Sequence, residues 1–146
     1  MKHAVSDEDR ELRRAFEACE TPPAAFDHAA HVRLAYIYLC TESPGGTAER
    51  MKRSLLNYLA HLGMGEAKYH ETITQAWVMA VDHFMAKTSP CSSTSAFLAA
   101  NPRLLDSSIM LRHYSAEVLF SPRARRTFVP PDLRVIPHEE NTRSAH

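Results

Sequence analysis

The chain is predicted to be all-α, a compact helical bundle of about five to six helices closed by an extended C-terminal strap. Three observations carry this expectation. Apolar residues recur at helical spacing through most of the chain. Cap residues and Pro/Gly breaks divide it into helix-length pieces. No run alternates as a half-buried strand would. The 146 residues suit one domain, set at 1–138, with 139–146 expected to be a disordered tail.

Each element follows from local residues. Ser6 and Asp9 have capping-box spacing and open "DEDRELRRAFEACE". "TPPAA" stops that helix. Asp27 suits the cap of a second helix, His28 to about Cys40, and Phe26 is placed for a hydrophobic staple. "TESPGG" reads as a loop. Thr47 is the expected cap of "AERMKRSLLNYLAHL", which Gly63 and Gly65 end. A fourth helix is expected over Tyr69–Lys87 and a short fifth in "SSTSAFLAA". Asn101-Pro102 should open a sixth, reaching about Tyr114. "SAEVLF" and "SPRARRTF" read as helical turns. "TFVPPDL" should then lie in a groove through Phe128, Val129 and Leu133.

Composition narrows the function. Lys+Arg and Asp+Glu both number 17, so net charge is zero. That argues against nucleic acid or a membrane surface as a partner drawn by bulk charge. No apolar run approaches the roughly 18 residues of a membrane span. "MKHAVSDEDRELRRAFEA" lacks the apolar stretch of a signal peptide. Cys19, Cys40 and Cys91 are odd in number and form no CxxC, so a reducing cytoplasm is the simpler expectation.

The candidate chemistry lies in "FDHAAHVRLAYIYL" and "KYHETIT". At about 100° per residue, His28 and His31 head the stripe of Val32, Ala35 and Leu39. His70 heads a second stripe through Ile73, Thr74, Trp77, Val81 and Phe84. Short connections make neighbouring helices antiparallel, so both helices should start at one end of the bundle. His28, His31 and His70 would then converge as ligands of a divalent metal, with zinc or iron most suitable. Glu71 would be a fourth ligand or a general base beside a metal-bound water, with His70 sharing the catalytic role. Tyr69, Thr74 and Arg33 are the expected substrate contacts.

Two other readings of the histidines stay open: helix-end residues bonded to carbonyls, and a metal-free acid–base site. The leading expectation is a metal-dependent enzyme acting on a small molecule by hydrolysis or a lyase/isomerase step. The alternative is a non-catalytic protein binding a metal or small ligand, and a homodimer is allowed for. Arg112, Arg123, Arg125 and Arg126 form a basic cluster that could hold an anion or be a solvated face. The cysteines, "SSTS", and the lack of GxGxxG or a P-loop support neither thiol, serine nor nucleotide chemistry.

Three stretches carry a resemblance: Phe26, His28, His31, Ala35, Tyr38 and Leu39 in the first; Lys68, Tyr69, His70, Thr72 and Thr74 in the second; and "SPRARRTFVPPDL" from Ser121 to Leu133. Together they resemble FxHxxH, KYHxTxT and SPxARxxFVxPDL, the pattern of an uncharacterised family of small bacterial helical proteins. The resemblance spans roughly Phe26 to Leu133 and implies a helical fold but no reaction.

Overall fold

The computed structural model describes residues 2–137. The tail predicted to be disordered, 139–146, lies outside the described residues. The structure is all-helical, with no strand among the described residues. Helix α1 spans Asp7–Glu17, α2 His28–Leu39, α3 Pro44–His61, α4 Glu71–Lys87, α5 Thr94–Ala100, α6 Ala116–Leu119 and α7 Pro122–Arg126. Single 3₁₀ turns stand at Pro23–Ala25 and Glu66–Lys68.

Local chemistry explains most boundaries. The Ser6 hydroxyl accepts from the Asp9 N–H, and the Asp9 carboxylate accepts from the Ser6 N–H. Asp9 also accepts from the Thr94 N–H and hydroxyl, at 2.9 and 2.6 Å, tying the start of α1 to α5. Asp27 caps α2 through the Ala30 N–H. The Phe26 ring meets His31 edge-on in the staple position and stacks on Phe16 at 4.5 Å. Helix α1 ends in a Schellman turn: Cys19 bonds to Phe16 and Glu20 to Ala15. Cys19 takes φ +62° there, a position glycine usually fills. Gly63 does the same after α3, with φ +76°.

The structure departs from the sequence reading at three boundaries. Helix α3 starts at Pro44 rather than near Thr47, because Ser43 accepts from the Gly46 N–H and Pro44 fits the first turn. Helix α4 starts at Glu71, with His70 as its cap rather than inside its first turn. The expected sixth helix is two 3₁₀ turns, Pro102–Leu105 and Ser107–Arg112, parted at Asp106, whose carboxylate accepts from the Ser108 N–H and hydroxyl.

Helix α2 is the centre of the molecule. It packs against α1, α3, α4 and α5, and its residues from Val32 to Tyr38, Arg33 excepted, are buried. A helix buried nearly all round presents no single inward stripe. The side of α2 that His28 and His31 share is therefore one of several buried sides. Helix α4 packs against both α2 and α3, burying Trp77, Val78 and Val81 among them. Each such side chain contributes about 1.5–3 kcal/mol by leaving water. Helix α7 closes over the start of α4.

The chain after α7 is extended and held by polar bonds. The Thr72 hydroxyl donates to the Thr127 carbonyl and accepts from the Val129 N–H. Tyr114 donates to the Val129 carbonyl at 2.6 Å, and the Asp132 carboxylate accepts from the Ser115 N–H. Leu133, expected to anchor the strap, is 58% exposed; Ile136, at 1%, is the buried anchor. Among the described residues no helix is long and apolar enough to cross a membrane.

Candidate functional site

Three histidines were expected to converge, and each has a clear position. The Nε2–H of His28 donates to the Leu104 carbonyl at 2.9 Å, and its ring meets Trp77 edge-on at 4.5 Å. Trp77 lies seven residues into the chain beyond His70, about 10 Å along the α4 axis. His28 is therefore beside the second turn past the α4 cap. His31 packs against Phe26, and burial, helped by the nearby His28, lowers its pKa to about 4. His31 is thus neutral at pH 7.

His70 is spent on the fold. Its Nδ1 accepts from the Ile73 N–H at 3.1 Å, and its Nε2–H donates to the Leu119 carbonyl at 2.7 Å. Burial lowers its pKa, which suits the neutral ring that this pair of bonds requires. Thr74 donates to the His70 carbonyl. Among the described residues no group of three or more His, Cys, Asp or Glu is arranged to hold a metal ion. Two remaining histidines also serve the chain: His3 joins the Met85 carbonyl and the Cys91 N–H, and His113 joins the Arg134 carbonyl.

The stretch around His70 nevertheless borders a cleft. It holds about 490 Å³ between α3, α4 and α7 and the Glu66–Lys68 turn. Tyr69 and Glu71, the residues on either side of His70, both line it. As the cap, His70 points one way into the fold while its neighbours turn toward the cleft. Lys52 from α3 and Arg125 and Arg126 from α7 line it too. Arg125 is held by a bond from its guanidinium to the Ala67 carbonyl, 3.2 Å. Leu56, Ala67 and Pro122 add apolar wall.

The tyrosine in this wall differs from the other four. All five tyrosines are buried. Four have a hydroxyl partner: Tyr36 with the Ala4 carbonyl, Tyr38 with Glu17, Tyr58 with the Thr21 carbonyl and Tyr114 with the Val129 carbonyl, at 2.6–2.8 Å. The buried Tyr69 hydroxyl makes no hydrogen bond. Thr74 and Glu71 come near enough to bear on its ionisation without standing in bonding geometry. Burial pushes the Tyr69 phenol well above its ordinary range, so it holds its proton and can only gain from an acceptor.

Glu71 is similarly half-satisfied. Its Oε2 accepts from the Gln75 amide one turn on. Its Oε1 is buried with no hydrogen bond and meets the Lys52 ammonium at 3.4 Å, an ion pair without hydrogen-bond alignment. Buried polar atoms left unpaired cost about 1–3 kcal/mol each.

Of the expected substrate contacts, Tyr69 lines the cleft, Thr74 stands behind it, and Arg33 belongs to α2 with a buried, unpartnered Nε. The basic cluster divides: Arg125 and Arg126 line the cleft, whereas Arg112 stands by Asp106. Lys52 and Leu56 were not anticipated. They lie far from the motifs in sequence, and only the packing of α3 on α4 brings them in.

The fold and the cleft define a class: a small all-helical protein with a carboxylate, a protonated phenol and two arginines lining one cleft. No protein-family model, curated protein or solved structure matches the chain.

Proposed function

We infer that the protein transforms a small molecule by proton transfer in the cleft, with Glu71 as proton acceptor and Tyr69 as hydrogen-bond donor. The observation that carries this is that Tyr69 and Glu71, each with a buried oxygen that makes no hydrogen bond, both line one cavity. The chemistry is of the lyase/isomerase kind. Glu71 takes a proton from a carbon beside a carbonyl, the C–H electron pair moves into the C–C bond, and the carbonyl oxygen gains the charge. Tyr69 donates to that oxygen as the charge develops. Return of the proton to the same or a neighbouring carbon completes an exchange or an isomerisation.

The test is hydrogen exchange in deuterium oxide against mixed charged and neutral carbonyl compounds, followed by NMR. At least one compound should lose its C–H signal faster with the protein present. Glu71→Gln should slow that exchange by roughly 10²-fold or more. Exchange that no compound shows, or that Glu71→Gln leaves unchanged, would overturn the reading.

A metal-dependent version draws on the His28–His31 pair at the head of α2. One observation favours it: His31 is neutral, and His28 stands near enough to help lower its pKa. His70 joins as a third ligand only by giving up the Ile73 N–H or the Leu119 carbonyl. Elemental analysis of untagged protein tests this version. Near-stoichiometric zinc or iron, lost in His28→Ala/His70→Ala, supports it; metal-free protein after reconstitution overturns it.

A further inference from the structure

We propose that the cleft takes a small organic anion, with a carboxylate or phosphate group held by Arg125 and Arg126 and the reacting end turned toward Tyr69 and Glu71. The proposal rests on the reading of this cleft as a ligand site and names what the ligand must carry.

Charge on the wall comes first. Three cations, Lys52, Arg125 and Arg126, meet two carboxylates, Glu66 and Glu71. The Lys52 ammonium pairs with Glu71. Glu66 offsets one of the two remaining cations, so the arginines, neighbours on α7, leave one net positive charge on the wall. Arg125 spends a donor on the Ala67 carbonyl, out of the five on a guanidinium. That bond fixes the fork in place, so its remaining donors meet an oxyanion with little further loss of freedom.

The placement of α7 is itself rigid. His70 bonds to the Leu119 carbonyl at 2.7 Å, anchoring the end of α6, and Ser121 then caps α7 through the Ala124 N–H. Arg125 is near enough to His70 that its charge bears on the ring. The arginines and Tyr69 thus belong to one braced unit around the α4 cap.

The opposite end asks for an acceptor. Tyr69, 8% exposed, has a protonated and unpartnered hydroxyl. A carbonyl or hydroxyl oxygen of the ligand satisfies it. Leu56 and Pro122 also line the cleft, which suits a short apolar body. At about 490 Å³ the space is at the small end of ligand cavities. The occupant is therefore compact, with an oxyanion at one end, a polar oxygen at the other and few carbons between.

Matched aryl probes test this: benzoate and phenyl phosphate as anions, benzamide as the neutral counterpart, with inorganic phosphate as competitor. Binding is read by ligand-observed NMR and titration calorimetry on wild type, Arg125→Gln, Arg126→Gln and Tyr69→Phe. Circular dichroism checks each fold. One of the anions should bind saturably and more tightly than benzamide, and binding should weaken with salt. Either arginine change should weaken it roughly tenfold or more, while benzamide is unaffected. Phosphate competition against phenyl phosphate but not benzoate assigns the group as phosphate; a preference for benzoate assigns a carboxylate. Either assignment supports the proposal. Benzamide binding as tightly as both anions, with the weakening confined to Tyr69→Phe, would overturn the anionic ligand and leave the cleft as a ligand site. Absence of saturable binding by every probe to the folded protein overturns both.

Discussion

His31 shows what partial burial does to a histidine when no hydrogen-bonded carbonyl or carboxylate compensates its charge. Burial and the nearby His28 take its pKa down from 6.5 to about 4. The sign follows from which state binds protons more readily. Above pH 6.5 neither the folded nor the unfolded chain protonates this ring, and its effect on stability is nil. Between 6.5 and 4 the unfolded chain takes up a proton that the folded chain refuses, so stability falls as pH falls. Below 4 the loss has saturated, at about 3 kcal/mol. His70, also lowered by burial, adds to the same trend. Urea unfolding at pH 7.5 and 4.5 checks this. Wild type should lose stability between the two, and His31→Leu should lose less. Equal losses in both would contradict the assignment.

Helix α4 shows how much of an element is legible from local sequence and where that stops. Ser6 and Asp27 were readable as caps because their short side chains reach the N–H two or three residues on. His70 was not, because histidine is outside the usual cap residues and helical phase placed it one residue inside. Yet its Nδ1 does what a serine oxygen does at Ser6. The convergence of three histidines was inferred from two helical stripes and a shared end. It depends on each ring lying at the same depth, and depth is set by packing: His28 lies against Trp77, well past the α4 cap. The cap role has a measurable consequence. His70→Ala removes a cap and leaves the Leu119 carbonyl without its partner, so it should cost about 2–4 kcal/mol in chemical denaturation. His70→Asn keeps the cap and should recover about 1 kcal/mol of that loss. A fully stable His70→Ala would contradict the structural role.

Across the whole molecule, the strap and the cleft depend on the same few contacts. Thr72, in the first turn of α4, binds both sides of the strap's start, while Tyr69 and Glu71 on the same segment line the cleft. Ile136 is the strap's buried apolar anchor, so Ile136→Ala should cost about 2–4 kcal/mol. That lowers the melting temperature by roughly 5–15 °C. Removal of the chain after Arg126 should lower it at least as far; an unchanged melting temperature after truncation would show the strap to be dispensable. Glu71, Tyr69 and the arginine pair were legible as candidates because they sit in or beside recognisable motifs. That they line one cleft was not, since Lys52 and the α7 arginines reach it only through tertiary packing. The central claim is that the cleft wall is built for a ligand rather than for the fold, and Tyr69 tests it without knowledge of the substrate. A hydroxyl with no partner in the folded chain should cost stability, unlike those of Tyr36, Tyr38, Tyr58 and Tyr114. Equilibrium unfolding of wild type and Tyr69→Phe is the direct measurement. The variant should equal or exceed wild type by about 1 kcal/mol. A loss of about 1 kcal/mol or more would mean that the hydroxyl holds the fold together, and the claim would fail.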